Sequence, residues 1–398
     1  MVDLIHRRLS LNLGRGAAGF NEYTCMWTGI IPNRNEAALI MRKSLLLLAL
    51  LALGILTVPA VAQTDFWACP QGFQGQTLNV YNWTTYIAED TISNFERLCG
   101  VTVIYNTYAS DTDMLEELRA GNTPHYDVVV PSNANLYLMV DEGLLQPLDF
   151  DNIANFANIG DQFKNPPYDP GNIYTVPYQW GTIGVGYNRT ALGRDIATWD
   201  DIFKLTARVA WLDEARPMFG FALRVLGHDP NTADPAQIAE AEQYLIDHAA
   251  NLVEIAPDTG QDLLAAGQAD VVVEYNGDIF QLIASCGCDD YRYIIPQEGG
   301  QIWTDNLAVP VGALNKPLAE TFIDYILNAQ VNADISNYTA YASPNQVAID
   351  EGLIYGDYLS NPAIYPEDTS SLFYTVADAE LDEAYGAAWE RVHSAIGR

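Results

Sequence analysis

Aromatic and acidic side chains occur together at the ends of predicted strands in this chain of 398 residues. Tyr275 and Asp278 follow the predicted strand at 270–274. Trp303 and Asp305 lie two positions apart in another strand-like segment. The face of an aromatic ring packs methylene groups and attracts cations, and a carboxylate neutralises positive charge. Because α/β sheets place ligands just beyond their strand ends, these pairs suit the binding of an organic cation.

Other strand ends extend this candidate set. Trp83, Thr84 and Tyr86 follow the predicted first strand, Ser132 ends a strand of buried type, and Tyr341 precedes a Ser-Pro turn. The hydroxyl groups of Thr84 and Ser132 can hydrogen-bond a ligand, and each residue could instead be an ordinary turn residue.

Structural roles are open for the other candidates as well. Tyr86 and Tyr341 could pack in the core, as aromatic residues often do. Asp305 could cap a turn, and Asp278 could be the N-cap of a helix that begins near Ile279.

The charge of the chain favours a cationic partner. The formal net charge is −32 at pH 7, so nucleic acid and anionic membrane surfaces would be repelled. A positively charged ligand would be attracted over a long range. The alternative is that the acidity only keeps an exported protein soluble.

The N-terminal region has the pattern of a secretory signal peptide at 41–62. A charged start at Met41 is followed by an apolar run and by the small residues before Gln63, with cleavage predicted after Ala62. Residues 1–40 are interpreted as a mis-called upstream segment. An uncleaved anchor is the alternative. The mature protein is therefore predicted to work in the periplasm or at the outer face of the membrane.

The cysteines fit an exported protein. Cys69, Cys99, Cys286 and Cys288 remain after cleavage, and an even number permits disulfides outside the cytoplasm. Cys69 precedes the first strand and Cys99 ends the first helix, so a bridge between them could fix the N-terminus. Cys286 and Cys288 could form a small ring or remain free thiols. No metal site and no cofactor are predicted.

Strands and helices alternate along the chain, which indicates an α/β layered fold. Two long strand-like segments, 174–188 and 303–310, have the character of crossings between domains. A second α/β set lies between them, with a helix start predicted at Asp234-Pro235.

Several motifs in this order resemble those of bacterial spermidine/putrescine-binding proteins, the polyamine receptors of ABC importers. They are Tyr81–Tyr86, Asp127–Ser132, Val176–Gly181, Tyr275–Asp278, Pro296–Pro310 and Tyr341–Asn345. The resemblance implies a two-lobed α/β fold of the type II periplasmic-binding-protein class, with two crossing strands at the hinge. It implies lobe 1 at 77–181 plus 306–355 and lobe 2 at 182–305 plus 356–398. It also implies a polyamine ligand and permease subunits as partners, and we expect a monomer.

The resemblance assigns roles to the candidate residues. An aromatic box would pack the methylene chain of the polyamine, and Asp305 and Asp278 would bind its ammonium groups. The members of the box would be Trp83, Tyr86, Tyr275, Trp303 and Tyr341.

The chain also departs from the family pattern. Pro217 stands where the family has a glutamate, and Glu214 or Asp213 would replace it, with Glu214 preferred. Thr85 and Ala134 differ from the residues that are common in spermidine binders, whereas Asp278 resembles the putrescine type. These changes leave open another organic cation or an amino-acid derivative as the ligand. An exported hydrolase is a third hypothesis, but no catalytic motif supports it, and no catalytic residue is predicted.

Overall fold

The computed structural model describes residues 66–108, 110–121, 125–376 and 378–397. The predicted signal peptide at 41–62 and the segment 1–40 lie outside these residues. Within the described part of the chain, no helix has the length and apolar character needed to cross a membrane.

Nine strands within the described residues form one sheet in the order β2-β1-β3-β9-β4-β7-β5-β6, and β8 pairs with β4 beside this path. The strands are β1 (Thr77–Trp83), β2 (Thr102–Tyr108), β3 (Val128–Val129), β4 (Thr175–Asn188), β5 (Val209–Leu212), β6 (Leu252–Ala256), β7 (Val271–Tyr275), β8 (Tyr291–Ile294) and β9 (Gln301–Ala308).

Helices connect the strands and cover the sheet. They are α1 (Thr91–Cys99), α2 (Asp111–Arg119), α3 (Asn133–Asp141), α4 (Arg189–Leu192), α5 (Trp199–Phe203), α6 (Ala215–Leu226), α7 (Pro235–Asp247), α8 (Gly260–Ala265), α9 (Asn276–Cys286), α10 (Lys316–Ile326), α11 (Ala329–Thr339), α12 (Gln346–Asp350), α13 (Gly356–Leu359) and α14 (Ala379–Ile396). Short 3-10 turns occur at Phe150–Asn152, Ala154–Asn158, Asp161–Phe163 and Ala249–Asn251.

The antiparallel pair β4 and β9 joins two halves of the sheet. Near Ala308, strand β9 pairs with β3, which continues to β1 and β2; we call these three strands the first half. At Ile183–Tyr187, strand β4 pairs with β7, which continues to β5 and β6; with β8 these form the second half. All residues of β9 are buried. The two long strand-like segments predicted from the sequence are therefore the strands that connect the halves.

Parallel pairing places the carboxyl ends of several strands at one edge in each half. Strand β1 is parallel to β2 and β3, and β5 is parallel to β6 and β7. Candidate site residues follow β1 and β3 in the first half, and β5 and β7 in the second half. This arrangement brings distant segments of the chain to one region.

Two local predictions have different outcomes. The helix start at Asp234-Pro235 is confirmed, because the Asp234 carboxylate accepts a hydrogen bond from the backbone N–H of Ala236. The buried segment 126–131 was predicted as a strand, and it is assigned as strand only at Val128–Val129. The short pairing explains this, since β3 pairs with β9 at a single position and with β1 at two.

The two C-terminal helices pack in different places. Helix α14 packs against α6 and α7 of the second half. Tyr358 and Leu359 of α13 instead pack near Ala333 of α11 and Ala348 of α12. The lobe boundaries stay a prediction.

Both cysteine pairs are disulfide-bonded. Cys69 and Cys99 join the segment before β1 to the end of α1, with an S–S distance of 2.01 Å. Cys286 and Cys288 form the second bond, at the end of α9.

Candidate ligand-binding cavity

A cavity of about 650 Å³ lies where the carboxyl ends of the strands of the two halves face each other. All of the ligand-binding candidates predicted from the sequence line it. They are Trp83, Thr84, Tyr86, Ser132, Glu214, Tyr275, Asp278, Trp303, Asp305 and Tyr341.

Trp303 lies at the centre of the aromatic lining. Its ring centroid is 5.1 Å from that of Tyr341, 5.8 Å from that of Tyr275 and 6.4 Å from that of Tyr86. Trp303 and Asp305 are two positions apart on β9, so their side chains point to the same face of the strand. The aromatic wall and this carboxylate therefore face the same space.

Trp83 extends the wall from the end of β1. Its indole N–H donates to the carbonyl oxygen of Val130 at 2.9 Å, and its ring lies 4.6 Å from that of Tyr108. These contacts fix the indole plane beside the cavity. Thr84 follows at the cavity edge.

Asp305 lies near a second carboxylate, Asp111. The hydroxyl of Ser132 donates to Asp111, and Ser132 pairs with Asp305 through an isolated β-bridge. Burial raises the pKa of the Asp305 carboxyl well above its usual range, and the charge of Asp111 adds to this rise. We call Asp111 and Asp305 the Asp305 pair.

Asp278 lies in the first turn of α9. The phenol of Tyr341 donates a hydrogen bond to its carboxylate. Burial raises the pKa of Asp278 to about 6, and the bond from Tyr341 opposes the rise. The alternative N-cap role does not hold, because Tyr275 occupies the cap position and α9 begins at Asn276.

Glu214 immediately precedes α6 and accepts a hydrogen bond from the phenol of Tyr275. Burial raises its pKa to about 7, and the bond from Tyr275 opposes the rise. Asp213, the other candidate for the missing family acid, instead accepts from the indole N–H of Trp389 at 2.9 Å. Pro217 lies in the first turn of α6 and lines the cavity with an apolar ring.

Sequence reasoning missed several acidic residues of this region. Asp111 and Asp258 line the cavity, and Glu274 is buried beside Asp258 and Asp278. Asp111 follows β2 and Asp258 follows β6, so the strand-end rule used for the other candidates could have found both. Glu274 lies inside β7, where no sequence signal indicates a role in a site.

The electrostatics of the cavity are strongly negative. Arg216 is the basic residue of the lining, and it forms an ion pair with Asp382 and donates to Asn231 at 2.9 Å. Within the described residues, no ion pair joins Lys, Arg or His to Asp278 or Asp305. The cavity thus combines aromatic faces with carboxylates that have no cationic partner in the described protein, which suits a positively charged organic ligand.

Comparison with known proteins identifies the family. Residues 90–364 match the model of the bacterial extracellular solute-binding proteins. This chain belongs to that family. The spermidine/putrescine-binding periplasmic protein of Salmonella typhimurium is 33% identical over 294 residues, covering 73% of this chain and 83% of that protein. The putrescine-binding periplasmic protein PotF of Escherichia coli is 32% identical over 350 residues, covering 80% of this chain and 92% of that protein.

Solved structures agree with this assignment. A spermidine/putrescine ABC transporter protein of Listeria monocytogenes superimposes with a TM-score of 0.74 at 29% identity, covering 79% of this chain and 98% of that one. The spermidine/putrescine ABC transporter substrate-binding protein of Streptococcus pneumoniae gives a TM-score of 0.69 at 30% identity, covering 81% and 100%. The resemblance and the two-lobed type II fold predicted from the sequence are confirmed, and this solute-binding protein has a substrate-binding role.

Proposed function

We propose that this solute-binding protein captures a polyamine, putrescine or spermidine, between its two lobes and delivers it to the permease subunits of an ABC transporter. One observation carries the proposal: the cavity has carboxylates without cationic partners in the described protein, arranged along an aromatic wall. The names of the relatives from Salmonella typhimurium and Escherichia coli support the same ligand class.

The physical chemistry of a polyamine fits this lining. Its ammonium groups have pKa values near that of a lysine, about 10.4, so they are charged at neutral pH. Burial of such a charge without a partner costs several kcal/mol, and carboxylates remove this cost. Asp305 and Asp278 would bind ammonium groups, while Trp303 and Tyr86 would pack the methylene chain. Cation–π contact adds about 2 kcal/mol in a dry site.

The lobes supply different parts of the site. Lobe 1, at 77–181 plus 306–355, would supply Trp83, Ser132 and Tyr341. Lobe 2, at 182–305 plus 356–398, would supply Glu214, Asp278 and Asp305. Because β4 and β9 connect the halves, closure about these strands would enclose the ligand and exclude water.

The cellular setting follows from the same proposal. The signal peptide would be cleaved after Ala62, and the mature protein would act in the periplasm or at the outer face of the membrane. The Cys69–Cys99 bond fits an oxidising compartment. We propose a monomer without catalytic activity or cofactor. The charge of −32 opposes any role with nucleic acid.

Isothermal titration calorimetry tests this function with putrescine and spermidine on the mature chain, residues 63–398. We expect binding at one site, and we expect Asp305→Ala to weaken it at least about tenfold, because a charge-assisted hydrogen bond contributes about 1.5–3 kcal/mol. The control is Asp357→Ala, which removes an exposed carboxylate of α13 and should leave the affinity unchanged.

A thermal-shift panel separates the alternative ligands. Stabilisation by diamines and triamines supports the proposal. Stabilisation only by quaternary amines, arginine-like cations or amino-acid derivatives would contradict it and would favour the other organic-cation hypothesis. Turnover of any ligand would contradict the absence of catalysis.

A further inference from the structure

Three acidic side chains crowd together near Asp278. Asp258, Glu274 and Asp278 each place a carboxylate oxygen within 4.8 Å of the others. We call these three residues the Asp278 trio. The trio therefore concentrates acidic groups at one place beside the cavity.

Asp258 is the member of the trio with free capacity to bind a ligand. Glu274 accepts from the backbone N–H of Gly260 at 2.7 Å and of Tyr275 at 2.9 Å, and it does not line the cavity. Asp278 accepts from the phenol of Tyr341. Asp258 lines the cavity, and its buried Oδ1 atom has no hydrogen-bond partner.

A buried acceptor of this kind requires a donor. A carboxylate has about four lone-pair positions, and leaving a buried polar atom without a partner is unfavourable. Negative charges on all three would repel one another, and no Lys, Arg or His among the described residues forms an ion pair with them. Positive charge from a ligand would both satisfy Asp258 and relieve this repulsion.

We propose that Asp258 is a ligand-binding residue, and that the Asp278 trio binds the end of a triamine where two ammonium groups lie close together. This inference rests on the proposed function, since it names the polyamine class for that same site. Spermidine has two ammonium groups close together at one end and a third farther along, whereas putrescine has one at each end. The Asp278 trio can thus accept from both neighbouring ammonium groups of spermidine, whereas putrescine brings one ammonium group to this place.

The test measures the affinity for spermidine and for putrescine by calorimetry, on the mature chain and on its Asp258→Asn variant. Asparagine keeps the shape of the side chain and removes its charge. We expect the unmodified chain to bind spermidine at least about tenfold more tightly than putrescine, because one more charge-assisted contact forms. Asp258→Asn should lower the spermidine affinity at least about tenfold and the putrescine affinity less than about threefold.

The matched control is Asp262→Asn. Asp262 lies on the neighbouring helix α8, is exposed, and raises the pKa of Asp278 only through its charge. Asp262→Asn is expected to change both affinities less than about twofold. This control separates the effect of direct contact with the ligand from the effect of a more distant charge. Thermal melting of each variant checks the fold, and Asp258→Ser replaces Asp258→Asn if the latter melts at a lower temperature.

Equal affinity of the unmodified chain for both polyamines, or tighter binding of putrescine, would overturn the inference and leave the proposed function intact. An equal loss for both ligands in Asp258→Asn, or no loss, would also overturn it. If neither polyamine binds the unmodified chain, the proposed function itself fails.

Discussion

Carboxylates on the outer surface and carboxylates in the cavity differ in how their charge is balanced. Asp270 accepts hydrogen bonds from Arg208 at 3.0 and 2.5 Å, and these bonds hold its pKa below the usual range. Asp305 is buried, no ion pair involves it among the described residues, and burial raises its pKa well above the usual range. Asp270 has a cationic partner in the protein, whereas Asp305 depends on a partner from outside.

This difference has an energetic basis. A buried ion without a partner is unfavourable by several kcal/mol, so such a group tends to hold a proton until a cation arrives. An exposed ion pair is worth about 0–1 kcal/mol, because water already solvates both charges. Removing a cavity carboxylate should therefore affect binding strongly, and removing a surface one should not.

The largest difference is expected between Glu214→Gln and Glu142→Gln. Glutamine at 214 can still accept from Tyr275 but carries no charge, so polyamine affinity should fall about ten- to a hundredfold. Glu142 forms a surface pair with Arg119, and its substitution should leave the affinity unchanged. Calorimetry at pH 7.5 measures the polyamine affinity of both variants. Equal losses of affinity would show that cavity and surface carboxylates do not differ in their effect on binding.

A smaller effect concerns the stability of the ligand-free protein against pH. The pKa of Glu214 rises from about 4.3 in the unfolded chain to about 7 in the fold, so the native state binds more protons between these values. Its contribution to stability is present below pH 4 and is lost as the pH rises through 7. Relative to Glu214→Gln, the free energy of unfolding should fall on the order of 2–3 kcal/mol from pH 5 to pH 8.

Urea denaturation of both proteins at the two pH values measures this difference. A constant difference would show that Glu214 has the same pKa in the folded and unfolded states.

The smallest effect is predicted for the surface pair of Arg208 and Asp270. Asp270→Asn should change polyamine affinity less than about twofold and the free energy of unfolding by about 1 kcal/mol or less. Calorimetry and urea denaturation check these values. A loss of affinity comparable to that of Glu214→Gln would mean that long-range charge, rather than the cavity acids, determines binding.

The sequence predicted the connecting strands and the aromatic wall of the cavity, for identifiable reasons. The segment 174–188 has a long apolar and glycine-rich pattern without a break, and it forms β4. Trp303 and Asp305 could be placed on one face because side chains alternate along a strand. The roles of Trp83 and Tyr341 depended on the family motifs rather than on their spacing.

The acids that were missed have a different explanation. Asp258 follows β6, and that strand includes Glu254, so its sequence gives a weak strand signal. Glu274 follows three valines in β7, and sequence reasoning would place an acidic residue in a strand on its solvent-exposed face. One of its actual partners, Gly260, becomes its neighbour only through the packing of α8 against β7. Such tertiary contacts are not encoded in local patterns.

Proton release on polyamine binding tests the central claim most directly. Titrations at pH 6.5 in two buffers with different ionisation enthalpies give the number of protons exchanged. The account predicts release, because an ammonium group beside Asp278 and Glu214 lowers their raised pKa values and ionises them. Binding with no proton exchange, or with proton uptake, would contradict the claim that buried cavity carboxylates without cationic partners receive the ligand.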